Sequence, residues 1–107
     1  EQWRDLKKRY PSAVLCVAGD YNTDMGSGRI YGTKRGIEML NEAFDELDLV
    51  CATAPNLMPA GMLARPPIDH VAVSRRTGIT IKVVDAFEGK VGSPRLSDHS
   101  AVVVEIF

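Results

Sequence analysis

Asp20 and Asn22 place a carboxylate and a carboxamide two residues apart, just past the apolar run 13–18. Such a pair can hold a hard cation, a water or a phosphoryl oxygen. It is equally the sequence of a turn closed by an Asx hydrogen bond. Asp69 stands in a second apolar run, and Asp98 and His99 stand just before a third. A carboxylate on an imidazole fixes the ring's tautomer and raises its basicity. Ser97-Asp98-His99 does not make a serine-hydrolase triad. Adjacent residues cannot form one with each other, and no Gly-x-Ser-x-Gly elbow is present.

Three apolar runs have to carry these residues. The run 13–18 reads as a strand buried on both faces. Gly19 then lets the backbone turn, and the polar pair stands at the strand's carboxyl end, where open α/β sheets bind ligands. Trp3, Leu6 and Tyr10 fall at helical spacing before it, with Lys7, Lys8 and Arg9 late in the segment and Pro11 stopping it. Residues 23–33 are polar and hold Gly26, Gly28 and Gly32, so they form a loop beside the polar pair. Gly26-Ser27-Gly28 is not a P-loop, because no Gly-Lys-Ser/Thr closes it. Thr33 can cap a helix over 34–47, where Ile37, Leu40, Phe44 and Leu47 make one apolar stripe for packing on a sheet.

A short strand is expected at 49–53, giving a βαβ-like order. Residues 54–67 carry four prolines and form a long loop, which in a compact domain is usually functional or disordered. Strands are expected at 68–74 and 79–87, joined as a hairpin through Arg75-Arg76-Thr77-Gly78, with both arginines solvated. His70 points away from Asp69, because strand side chains alternate, and reads as a packing residue. The run at 100–106 is apolar and β-branched and reads as a central strand. The expectation is an α/β (α+β) fold with one mixed β-sheet and helices on one face.

Composition bounds the rest. With 107 residues, 45% of them hydrophobic and 25% charged, one packed domain is expected. A net charge of −1 gives no general electrostatic reason to bind nucleic acid, though a local basic patch stays open. No apolar run approaches the roughly 18 residues of a membrane span. Cys16 and Cys51 each sit in an apolar run and read as buried free thiols, with a disulfide between adjacent strands as the alternative. No CxxC or Cys/His spacing supports a zinc site.

Three islands now stand in order: Gly19-Asp20-Tyr21-Asn22, Ile68-Asp69-His70-Val71, and Leu96-Ser97-Asp98-His99-Ser100. Together they resemble the C-terminal half of the endonuclease/exonuclease/phosphatase superfamily, with its Gly-Asp-aromatic-Asn strand end, its Ile-Asp-aromatic strand and its final Ser-Asp-His. The resemblance covers nearly all of residues 1–107 but only about the second half of the family domain. It implies half of a four-layer αββα sandwich. It also implies metal-assisted hydrolysis of a phosphate ester, with Mg²⁺ the usual ion and Mn²⁺ a substitute. By resemblance, Asp20 orients the attacking water and touches the metal, and Asn22 bonds to water or a phosphoryl oxygen. Asp98 lies near the metal, His99 donates to a phosphoryl oxygen, and Asp69 holds its imidazole.

The family's early-strand metal-binding Glu is not matched in these residues. Glu38, Glu42, Glu46, Glu88 and Glu105 stand in the wrong contexts to replace it, and His70 stands where Tyr or Trp is common. Catalysis would then need the missing N-terminal half, and the alternative is a non-catalytic half-domain that serves as an interaction or assembly module. The substrate could be a nucleic acid, a phospholipid headgroup or a small phosphate ester, chosen by the loops 56–65 and 88–95. Strands apolar on both sides need cover on both. The missing half or a second copy of this chain is the expected partner for the face the helices leave open.

Overall fold

A computed structural model describes residues 1–26, 32–89 and 97–107. Gly28, Leu96 and most of the substrate loop expected at 88–95 lie outside the described residues. The chain is α+β. Among the described residues, two helices, α1 (Gln2–Arg9) and α2 (Lys34–Glu46), accompany five strands. These are β1 (Cys16–Asp20), β2 (Leu49–Cys51), β3 (Asp69–Ser74), β4 (Ile81–Phe87) and β5 (Ala101–Ile106). They form two antiparallel sheets among the described residues, one ordered β1-β3-β2 and one β4-β5.

The centre of the first sheet is β3. Its Ala72 and Val73 are both fully buried, so it offers apolar side chains to both faces. Cys16 to Asp20 pair with Val73 to Asp69 in continuous register, and Leu49 to Cys51 pair with Ser74 to Ala72. Both flanking strands are antiparallel to β3, so β1 and β2 run in the same direction. Helix α2 crosses between them. The βαβ-like order therefore holds, with β3 inserted in the middle.

Thr33 caps α2 as expected, its Oγ1 accepting from the Gly36 amide at 3.0 Å. The apolar stripe turns Phe44 and Leu47 onto Val17, Leu49, Cys51 and Ala72. Trp3 of α1 stacks on Phe44 with ring centroids 6.1 Å apart and meets Tyr21 edge-on. Burying a side chain such as Phe44 is worth about 1.5–3 kcal/mol, so this cluster holds both helices on one face of the sheet.

The hairpin expected between 68–74 and 79–87 is not formed. The chain does turn at Gly78, which has φ +86. But β1 and β2 already occupy both edges of β3, so β4 has no edge there to join. It pairs instead with β5, with a register shift between Val83 and Asp85, and the five strands divide into two ladders rather than one mixed sheet. The run at 100–106 is consequently not a central strand. Val103 and Ile106 are exposed in this two-stranded ribbon, as are Val84 and Phe87.

Two smaller expectations also change. Cys51 is a buried free thiol, but Cys16 is free and exposed, because β1 buries Val17 and turns Cys16 and Ala18 outward. Arg75 and Arg76 are exposed yet bonded. Arg75 Nε donates to Asp48 at 3.2 Å, and the Arg76 guanidinium donates to the carbonyls of Ser12 and Ala13. They fasten the turn after β3 to the end of α2 and the approach to β1.

Candidate active site

Asp20 ends β1 and Asp69 begins β3, and the two are register partners. Directly opposed residues of an antiparallel pair share a face, with Cβ atoms about 4.5–5.5 Å apart. Two carboxylates at that spacing repel unless a cation or a donor lies between them. The ladder continues one step further, the Tyr21 amide donating to the Ile68 carbonyl at 3.0 Å. The chain then turns at Asn22, not at Gly19. Asn22 adopts φ +50 and donates its amide to Asp20 Oδ1 at 2.8 Å. This is the Asx turn, and Asn tolerates the left-handed conformation better than most residues. It holds Oδ1 of Asp20 and leaves Oδ2 to face the site.

His99 supplies the donor. Its Nδ1 lies 2.7 Å from Asp69 Oδ2, and its Nε2 lies 3.7 Å from Asp20 Oδ2. Asp98 Oδ1 approaches the same Nε2 at 3.9 Å. Asp69 therefore fixes the tautomer: Nδ1–H donates to the carboxylate, and Nε2 is presented to Asp20 and Asp98. The Asp69 hydrogen bond and charge, then the charges of Asp20 and Asp98, raise the His99 pKa above the ordinary imidazole value.

The approach of His99 is set by backbone contacts. Its amide donates to Ser97 Oγ at 3.0 Å, and the Ser97 amide donates to the Gly89 carbonyl at 3.0 Å. A Cβ on Gly89 would collide with the carbonyl oxygen of Ser97 and sit 2.7 Å from that of His99. Only a glycine lets the end of β4 come this close to the entry of β5.

His70 is not part of this face. It is 1% exposed and lies in the layer behind. Its Nε2 donates to the Thr23 carbonyl at 2.6 Å, so Nδ1 accepts from the Thr53 hydroxyl at 2.7 Å. Burial lowers its pKa and keeps it neutral. The expectation of a packing residue on the opposite face from Asp69 holds, and the packing carries a function: it ties the segment after Asn22 to the start of the long loop.

Asp20, Asp69 and His99 each offer a ligand atom within 4.8 Å of the others. The donor set fits a divalent cation. The Asp69 bond to Nδ1 leaves Nε2 as the ligand atom of His99, and the carboxylate oxygens beside it are the donors that suit Mg²⁺ or Mn²⁺. Asp20 and Asp98, the pair expected at the metal, both converge on Nε2 of His99. Asp98 is largely exposed, its side chain 84% accessible.

A cleft of about 210 Å³ opens beside His99, lined also by Asp24, Arg65, Pro66, Glu88, Asp98 and Ser100. Sequence reading did not single out Asp24. It is 1% exposed and its Oδ1 accepts from the Gly26 amide. Its place two residues after Asn22, still within reach of the strand end, was the available signal. Glu88 was set aside as a metal ligand; in the fold its Oε1 accepts from the Ala64 amide at 2.7 Å and anchors the long loop to the cleft.

No family model matches this chain, and no curated protein or solved structure matches it. Among the described residues, no helix is long and apolar enough to cross a membrane.

Proposed function

We propose that this chain carries part of the active site of a Mg²⁺-dependent phosphoesterase or nuclease of the endonuclease/exonuclease/phosphatase type. The observation that carries the reading is the convergence of Asp20, Asp69 and His99 from three separate strand ends, with the imidazole held at 2.7 Å by one carboxylate and facing the other. The resemblance of the three sequence islands to that superfamily supports it. Asp20 and Asp98 would hold the ion. A bound Mg²⁺ polarises a phosphoryl oxygen and lowers the pKa of a bound water.

The chain's own residues have distinct roles in this proposal. Asp20 Oδ2, left open by the Asx turn, orients the attacking water. Asn22 bonds to that water or to a phosphoryl oxygen. His99, protonated, donates from Nε2 to a phosphoryl oxygen as negative charge develops there. Asp69 holds the ring so that Nε2 alone faces the substrate. The resemblance places further ligands outside these 107 residues, so full turnover is expected of the complete domain.

The test is hydrolysis of a phosphodiester, with and without Mg²⁺, by the longest natural form of the protein. His99→Ala should lower kcat by about 10²–10³, the usual loss on removing one donor to a developing oxyanion, while leaving the fold intact. Near-normal turnover by that variant overturns the assignment. A second reading, an interaction or assembly module without catalysis, is favoured by exposed Phe87, Val103 and Ile106 on the β4-β5 ribbon. The two are compatible if the residues of this chain act only after association.

A further inference from the structure

Beside the cleft lies a second depression, of about 360 Å³, beneath the loop that joins β2 to β3. Met25, Met58, Met62 and Leu63 line it, all half-buried. Arg65 and Pro66 line both the depression and the His99 cleft, so they form the wall between the two. The loop is held in shape. The amides of Leu57 and Met58 donate to the Ala54 carbonyl, and that of Ala64 donates to Glu88. Pro55, Pro59, Pro66 and Pro67 further limit its freedom in any state, folded or not. A preformed, largely apolar pocket opening beside a few polar groups is the usual form of a small-molecule subsite.

We infer that this depression is the specificity pocket of the proposed phosphoesterase and takes a flat aromatic ring, such as a nucleobase, attached to the phosphate held beside His99. The inference rests on the proposed function for the phosphate, but the pocket's chemistry is its own. Thioether sulfurs contact aromatic rings favourably, and methionines adapt their shape to a ring edge. Arg65 lines both spaces, is exposed and makes no ion pair or hydrogen bond among the described residues. A guanidinium suits both parts of such a ligand: it would offer charge to the phosphate and a planar surface to the ring. An alkyl chain would gain the apolar contact but neither the sulfur–aromatic nor the guanidinium contribution. Of the chain's four methionines, three line this pocket. The fourth, Met39, lies on α2 and lines a different cavity.

That distribution supplies the experiment. In protein labelled with ¹³C at the methionine methyls, adenosine 5′-monophosphate with Mg²⁺ should shift the signals of Met25, Met58 and Met62 and leave Met39 unmoved. Adenosine alone should shift the same three, more weakly, even if the chain hydrolyses nothing. Failure of the hydrolytic reading and failure of this one are therefore separable. Met62→Glu should weaken adenosine 5′-monophosphate binding by at least tenfold and leave the binding of inorganic phosphate unchanged. Equal shifts with ribose 5-phosphate, or no shift of the three methyls at saturating nucleotide, overturn the inference. Larger shifts with decyl phosphate than with the nucleotide overturn the choice of an aromatic ring.

Discussion

Asp69 holds Nδ1 of His99 at 2.7 Å, and its register partner Asp20 faces the ring's other nitrogen at 3.7 Å. One imidazole is thus placed between two carboxylates that the sheet brings side by side. The arrangement favours the protonated ring, and the sign of its pH dependence follows. Asp69→Asn should lower the His99 pKa toward or below the ordinary value of about 6.5, because the largest stabilisation of the imidazolium is removed. Proton NMR of the His99 ring reads this directly. An unchanged titration in the Asn variant contradicts the geometry.

The same shift links to stability. A folded-state pKa above the unfolded one means that the His99 contribution is fully present below about pH 6.5 and is lost as pH rises through the folded pKa. His70 acts in the opposite sense. Burial holds its folded pKa below the unfolded one, so its contribution is present above about pH 6.5 and fades as pH falls through the folded value. Replacing His70 by Ala removes two buried hydrogen bonds and leaves a cavity, and should cost about 2–4 kcal/mol. Denaturant melts at several pH values check both. Wild type should lose stability between pH 6.5 and acid more steeply than His70→Ala does.

Gly89 tests the positioning of the site without touching its chemistry. Gly89→Ala forces a Cβ against the backbone oxygens of Ser97 and His99, which cannot yield as a side chain would. The two segments must separate, and the Asp69–His99 bond should lengthen or break. The expected outcome is a His99 pKa moved back toward its ordinary value, with cooperative unfolding retained. A variant with an unperturbed His99 titration would show that the close approach is not what sets the ring.

Much of this was legible in sequence because local rules agree with the fold at those places. The α2 stripe, its Thr33 cap and the strand character of β1 and β3 are all encoded within short windows. Asp69 and His99 could be matched because each stands at the entry of a strongly apolar strand. Pairing was not legible. The sequence of β4 alternates as a half-exposed arm should, and a turn does precede it. But whether it folds back on β3 depends on β1 and β2 claiming both edges first, which no local window contains. The exposure of Cys16 and of β5 was hidden for the same reason. Both runs are apolar on either side, and burial then depends on what covers them, not on their own pattern. Asp24 was missed because a buried acid within a polar loop has the same sequence as a solvated one.

The open sheet faces yield the last prediction. Val84, Phe87, Val103, Ile106 and Phe107 are exposed on and beside the β4-β5 ribbon. At about 25 cal/mol per Å², covering about 400 Å² of apolar surface there is worth on the order of 10 kcal/mol. That is comparable to the whole stability of a small domain, about 5–15 kcal/mol. The pure 107-residue chain should therefore self-associate or precipitate as its concentration rises, in the absence of a partner that covers this ribbon. Val103→Lys with Phe87→Lys should shift it toward monomer, since two exposed cations on facing strands oppose a second apolar surface. Sedimentation velocity across a concentration series decides. A wild-type chain that remains monomeric at high concentration and melts cooperatively would show that these faces need no cover.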